Sequence, residues 1–185
     1  MTDLTQSTSE AITLLSSMIS IPSVSREEEK VADFLQTYIE GIGIMTGRSG
    51  NNIWCISPMF DMKKPTILLN SHIDTVKPVN GWRKHPYTAK MENGKLYGLG
   101  SNDAGASVVS LFEAYRYLSA TEQAYNLIFL ASCEEEVSGK NGIESVARNA
   151  MLAAVENQTV EGYAEEKHPK FEVYTDKAGE FRFRL

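Results

Sequence analysis

Residues Pro65–Val76 read PTILLNSHIDTV. The run through Leu69 is apolar and β-branched without alternation, which predicts a strand, and one of the kind found in the centre of a sheet with both faces covered. It ends in His72 and Asp74, two residues apart and therefore on the same side of an extended chain. Ligand sites of open α/β sheets lie just outside the carboxyl ends of such strands. A histidine that ligates a metal has its second ring nitrogen held by a carboxylate or carbonyl, and Asp74 stands where it could do that. Taken alone, the pair equally describes a strand-end histidine in a satisfied hydrogen bond.

Working outward, SEAITLLSSMISI carries Ile12, Leu15, Met18 and Ile19 at helical spacing, with Ser7 to Ser9 as expected caps. Pro22 in IPSVS disfavours helix at Ile21 and separates this helix from a second, REEEKVADFLQTYIEGIG, which runs out at Gly41 and Gly43. NNIWCIS predicts a strand, and YTAKMENGKLYGLG alternates around Asn93-Gly94, a strong hairpin signal. DAGASVVSLFEAYRYLSA predicts a helix and YNLIFLASC another buried strand. This order of elements implies an α/β domain with a mainly parallel sheet.

Two more chemistry-bearing places follow that pattern. Asp103, in GLGSNDAG, lies where a strand-like stretch meets a helix, and by itself reads equally well as an N-cap. Glu134, Glu135 and Glu136 directly follow the buried run YNLIFLASC, where a merely solvated charge run is less expected. Carboxylates held together there need a cation or shared protons. His72, Asp103 and Glu135 are separated by 31 and 32 residues, and each follows an extended stretch. Neighbouring strands would bring them to one edge. Imidazole with carboxylates suits zinc or a related divalent ion, and a further carboxylate can act on a water proton.

The bulk numbers narrow the function classes. The 185 residues fit one domain with an appendage, and a net charge of -6 argues against a nucleic-acid or anionic-membrane partner. No stretch approaches the roughly 18 consecutive apolar residues of a membrane span. The acidic start MTDLTQSTSEAITLL lacks the basic region of a signal peptide, so a cytoplasmic location is expected. Cys55 and Cys133 have neither metal-finger nor redox spacing and are expected to be buried thiols.

SHIDTV, GKLYGLGSND and SCEEEVSG, in this order and spacing, resemble the family of acetylornithine deacetylases, succinyl-diaminopimelate desuccinylases and aminoacylases, over roughly residues 8 to 146. The acetylornithine-deacetylase-like branch is the nearest in pattern. The resemblance implies a zinc-peptidase-like three-layer α/β domain and two clustered divalent metal ions, zinc with cobalt as the substitute. It implies that His72 ligates one metal, that Asp74 supports it, that Asp103 bridges both, that Glu136 ligates the second, and that Glu135 is the general base. Glu134 is given no direct role. The implied substrate is a small N-acylated amino acid, in keeping with arginine biosynthesis.

The sequence departs from that family in three places. Asp103 is followed by Ala104-Gly105 where many members carry a lysine and glycine, and His85-Pro86-Tyr87 stands where Asp-Pro-Phe is common. His85 is accordingly expected to be a surface loop residue. After residue 146 no further ligating acid, late histidine or lid motif is found, and His168 is not expected to substitute for them. On the family's pattern each metal then keeps two protein ligands, one short of the usual three. This truncated form is expected to be inactive by itself, or to act only as a non-catalytic module that self-associates through unpaired strand edges.

The tail carries a second resemblance. GIESVARNA and PKFEVYTDKAGEFRFRL are similar to the joint between repeats of YegP-like domains. This implies a division into residues 1–140, the amino-terminal part of the catalytic domain, and 141–185, a helix, linker and hairpin. In the hairpin Phe171 and Val173 are set against Phe181 and Phe183, around a turn at Asp176 to Gly179.

Overall fold

In the computed structural model the described residues are 4–147, together with the backbone of 172–175 and 181–184. The chain divides into two units, Met1–Asn149 and Ala150–Leu185. In the first, helices α1 (Leu4–Ile19) and α2 (Glu29–Gly41) precede strands β1 (Gly47–Ser49), β2 (Asn52–Ile56) and β3 (Thr66–His72). A small hairpin, β4 (Lys90–Glu92) and β5 (Lys95–Tyr97), leads to helix α3 (Gly105–Ser119), strand β6 (Asn126–Ser132) and a 3-10 turn at Glu135–Val137. Every helix and strand expected up to Ser132 is present.

Helix α1 begins earlier than Ser7. Its Thr and Ser hydroxyls donate to carbonyls one turn back, Thr8 to Leu4 at 2.8 Å and Ser16 to Ile12 at 2.7 Å, and so are used inside the helix instead of capping it. Helix α2 begins later, at Glu29, because Arg26 sits at φ 75° and Glu28 turns inward and is fully buried. The β4–β5 turn carries Asn93 at φ 53° and Gly94 at φ 73°, the pair of left-handed residues that a two-residue hairpin requires.

The main sheet has the order β1-β2-β6-β3. β3 and β6 run parallel, whereas β1–β2 and β2–β6 are antiparallel. The sheet is therefore mixed, not mainly parallel, because the connection from β2 to β3 turns the chain round before α3 makes the one parallel crossover. The expectation of a central strand covered on both faces is met by β6, buried at every position except Ile128, and not by β3. β3 is an edge strand among the described residues, pairs only with β6, and leaves Ile67 and Leu68 exposed.

Helices α1, α2 and α3 pack in one core on a face of this sheet. Val108, Val109, Phe112 and Tyr115 of α3 meet Leu127, Phe129 and Ala131 of β6, with the Phe112 and Phe129 rings 5.2 Å apart. Leu14, Leu15 and Met18 of α1 and Val31, Leu35 and Ile39 of α2 complete the core around Ile53 and Cys55 of β2. The parallel register sets His72 beside Ser132, so the acid triplet leaves the sheet at the same end as His72.

The first unit continues past residue 140. Asn141 lies inside its hydrogen bonding, residues 143–147 are helical, and the unit extends to Asn149. In the second unit β7 (Glu172–Thr175) pairs antiparallel with β8 (Phe181–Arg184), Val173 opposite Phe183. The expected turn, the continuation of the helix beyond 147 and His168 lie outside the described residues.

Candidate metal centre

Three segments meet at the end of the sheet. His72 closes β3, Asp103 ends the loop before α3, and Glu135 and Glu136 form the 3-10 turn after β6. The His72 Nε2 atom lies 3.1 Å from Asp103 Oδ1 and 3.6 Å from Glu135 Oε2. One ligand atom from each of His72, Asp103 and Glu136 lies within 4.8 Å of the others. Four of the five residues singled out by sequence thus face one point, with Asp74 behind them.

Asp74 is fully buried, and four donors surround its carboxylate. The Glu135 amide donates to Oδ1 at 3.0 Å and the Glu136 amide to Oδ2 at 3.1 Å, while Ser25 Oγ donates to Oδ2 at 2.7 Å. His72 Nδ1 lies 3.3 Å from Oδ1 and 3.0 Å from the Asp74 carbonyl oxygen. Burial works against the charge, but these hydrogen bonds outweigh it and hold the carboxyl below its ordinary range. A carboxylate so fully engaged has no lone pair left for a metal. It orients His72 and anchors the acid turn.

The imidazole is itself mostly buried, which disfavours its charged form. The hydrogen bond and charge of Asp74, with the charge of Glu135, more than offset this and push its pKa up to about 9. Glu136 is shifted upward, first by burial and then by the neighbouring charges of Asp103, Glu135 and Asp74, with His72 opposing. The acids around His72, and the burial and neighbouring charges of Glu136, favour a proton or a cation at this point. The donor set of one imidazole and two carboxylates fits a divalent ion of the zinc type. Asp103 and Glu135 have side chains 76 % and 60 % exposed, so the point opens to solvent.

Sequence reasoning gave Glu134 no role, yet its side chain is buried and holds the loop together. Asn141 Nδ2 donates to Glu134 Oε1 at 2.7 Å, and the Glu134 amide donates to Glu28 Oε1 at 3.2 Å. A Cβ added at Gly139 would overlap the Glu134 carboxyl, so this loop closes over it. Ser25, Glu28, Asn52 and Asn141 were also missed. The only trace of Ser25 was its place in the helix break IPSVS, and Glu28 was read as part of the second helix. His85 is exposed and shares a contact of 3.1 Å with Thr88 Oγ1, as a surface loop residue should.

The sequence signature of peptidase family M20/M25/M40 matches residues 68–175. It runs across the boundary expected near residue 140, and the YegP-like reading of the tail finds no support in the comparisons. The succinyl-diaminopimelate desuccinylase of Blochmanniella floridana is 28 % identical over 147 residues, covering 75 % of this chain and 38 % of that protein. Among solved structures, an M20 family metallo-carboxypeptidase of Sulfolobus solfataricus superposes with a TM-score of 0.62 at 22 % identity, covering 82 % of this chain and 35 % of its own. A Bacillus subtilis protein described as a dinuclear metal binding peptidase of the same family gives 0.59 at 16 % identity, covering 81 % and 41 %. The chain thus spans about two fifths or less of these proteins. The two structures establish the fold.

Proposed function

Because the chain belongs to peptidase family M20/M25/M40, we propose that it carries the metal-binding part of an amidohydrolase that removes an acyl group from the nitrogen of a small amino acid. The observation that supports this best is the convergence of His72, Asp103 and Glu136 within 4.8 Å, with Glu135 beside them. His72, Asp103 and Glu136 would hold the metal, and Asp74 would hold His72 without ligating. Two divalent ions, zinc with cobalt as substitute, are the proposed cofactors. A divalent ion there supplies Lewis-acid polarisation of an amide carbonyl and makes a water more acidic.

The remaining chemistry belongs to the chain. Glu135 is exposed, its carboxylate makes no hydrogen bond among the described residues, and it lies 3.6 Å from His72 Nε2. It would take a proton from the attacking water and deliver it to the departing amine nitrogen. The sequence leaves N-acetylornithine, N-acetylcitrulline and N-succinyl amino acids all open as substrates, and the desuccinylase relative supports the N-succinyl class. Two buried free thiols, Cys55 and Cys133, support a cytoplasmic setting. None of the helices in the described residues is long and apolar enough to cross a membrane.

Zinc calorimetry tests the metal reading. Micromolar or tighter uptake that disappears in His72→Ala and Asp103→Ala supports it, and no uptake by the native chain sinks it. The sequence reading gave each of two metals two protein ligands, but among the described residues His72, Asp103 and Glu136 lie close enough to serve one ion together, so one equivalent should bind ahead of a weaker second. Hydrolysis of N-acetylornithine or N-succinyl-diaminopimelate by this chain alone is proposed to stay near background. Robust Glu135-dependent turnover would overturn that part.

A second reading has one observation behind it. Ile67 and Leu68 are 42 % and 46 % exposed on the β3 edge, which supports self-association through that strand. Sedimentation of the purified chain decides it: a monomer at tens of micromolar excludes this reading.

A further inference from the structure

The sequence reads IPSVS as a helix break and Arg26 to Glu28 as the start of the second helix, but in the structure all of IPSVSREE is the connector between α1 and α2 and reaches the acid turn by two routes. Residues 23 to 25 run alongside the end of β3, with Thr75 N donating to the Ser23 carbonyl at 2.9 Å and Ser25 N to the Thr75 carbonyl at 3.1 Å. This pairing sets Ser25 Oγ 2.7 Å from Asp74 Oδ2. Three residues on, the fully buried Glu28 accepts from Arg26 N at 2.7 Å, from Glu134 N at 3.2 Å and from Asn51 Nδ2 at 3.0 Å.

Three successive amides of the acid triplet therefore each donate to a buried carboxylate: Glu134 to Glu28, and Glu135 and Glu136 to Asp74. Side chains that repel one another are fixed through their backbone by other acids. Asp74 can keep its orientation toward two amides only while its other contacts hold it, and Ser25 supplies the closest of them. Glu134 stands at φ 55°, outside the conformations a non-glycine residue prefers, and the Glu28 contact falls on that same residue.

We propose that Ser25 and Glu28 are positioning residues that clamp the Glu134–Glu136 turn, Ser25 acting through Asp74 and Glu28 directly. Neither touches the point where His72, Asp103 and Glu136 converge. The consequence for metal affinity rests on the metal reading above; the clamp itself does not.

Amide hydrogen exchange by NMR on the metal-free chain tests the clamp. In Ser25→Ala, exchange at Glu136 and Glu135 should quicken at least tenfold while Phe129 and Leu130 in β6 keep their native rates. Ser25→Thr, which retains the hydroxyl, should restore slow exchange. Glu28→Ala should quicken Glu134. Unchanged exchange at Glu135 and Glu136 in Ser25→Ala overturns the proposal, as does quickening spread equally over β6. Zinc titration of the same proteins separates the two ideas, since removing a residue that supports a ligand costs roughly 10–100-fold in metal affinity. Native zinc binding together with unchanged exchange and unchanged affinity in Ser25→Ala defeats the clamp and leaves the metal reading standing. No zinc uptake by the native chain, with exchange changed as expected, defeats the metal reading and leaves the clamp.

Discussion

The side chain of Asn52 bonds to both ends of the acid loop: its Oδ1 accepts from the Cys133 amide at 3.1 Å and its Nδ2 donates to the Asn141 carbonyl at 2.6 Å. Asn52 is completely buried at the first position of β2, on the strand next to β6, so it closes the loop from below. Replacing it with alanine leaves the buried Cys133 amide without its partner, at about 1–3 kcal/mol, while the Asn141 carbonyl keeps the Ser145 hydroxyl at 2.9 Å. Asn52→Ala should therefore lower the urea midpoint by an amount equivalent to roughly 1–3 kcal/mol. Asn52→Asp should do at least as much harm, because an acceptor would then face the carbonyls of Ser49 and Asn141. Equilibrium unfolding of both variants checks this.

Gly142 is required for a different reason. A Cβ built there would lie 2.5 Å from the carbonyl oxygen of Cys133, a backbone atom that cannot swing aside. Gly142→Ala should displace the start of the following helix or the end of β6, with a stability loss of about 1–3 kcal/mol, as overpacked sites show. Gly41, with open space around it, is the matched control and should tolerate alanine.

The two thiols report on integrity. Burial pushes both Cys55 and Cys133 up to about 12, with neighbouring carboxylates adding to the effect. At pH 8 the native chain should react with a thiol reagent only through unfolding, whereas the urea-unfolded chain should titrate two thiols at once. The sign for stability follows. The folded pKa lies above the unfolded one, so this contribution is whole below the unfolded pKa of about 8.5 and declines as pH rises from there toward about 12. Alkaline unfolding should be eased in the native protein and less so in a Cys55→Ala, Cys133→Ala double variant.

Local pattern carried the elements and the residues that meet, but not their neighbours. The apolar runs of β3 and β6 are nearly alike, and nothing in either run states which has strands on both sides. Only pairing decides that β6 is central and β3 is at the edge. His72, Asp103, Glu135 and Glu136 could be read because strand ends and helix starts can be placed by composition, and a parallel register then aligns them. Glu28 and Glu134 could not. Each sits inside a run of three acids, where charge alone predicts solvent exposure, and their burial depends on partners more than 100 residues apart in the chain. Asn52 was hidden in the same way, as one polar residue at the start of an otherwise ordinary strand.

Asp74→Asn separates support from ligation at the candidate metal centre. The native carboxylate accepts from Ser25 and from the amides of Glu135 and Glu136, and it also meets His72 Nδ1. An asparagine offers one oxygen and turns an NH2 toward donors on the other side, so at least one of these bonds must break. His72 Nδ1 keeps the Asp74 main-chain carbonyl at 3.0 Å but loses the carboxylate charge 3.3 Å away. Metal affinity should fall roughly 10–100-fold, the usual cost of removing such a partner. His72→Ala instead removes a ligand atom from the set of three and should abolish the tight site. Zinc calorimetry on the native chain and the two variants gives the ranking. If Asp74→Asn binds as weakly as His72→Ala, Asp74 acts as a ligand, and the four-donor arrangement around it does not describe the metal-loaded protein.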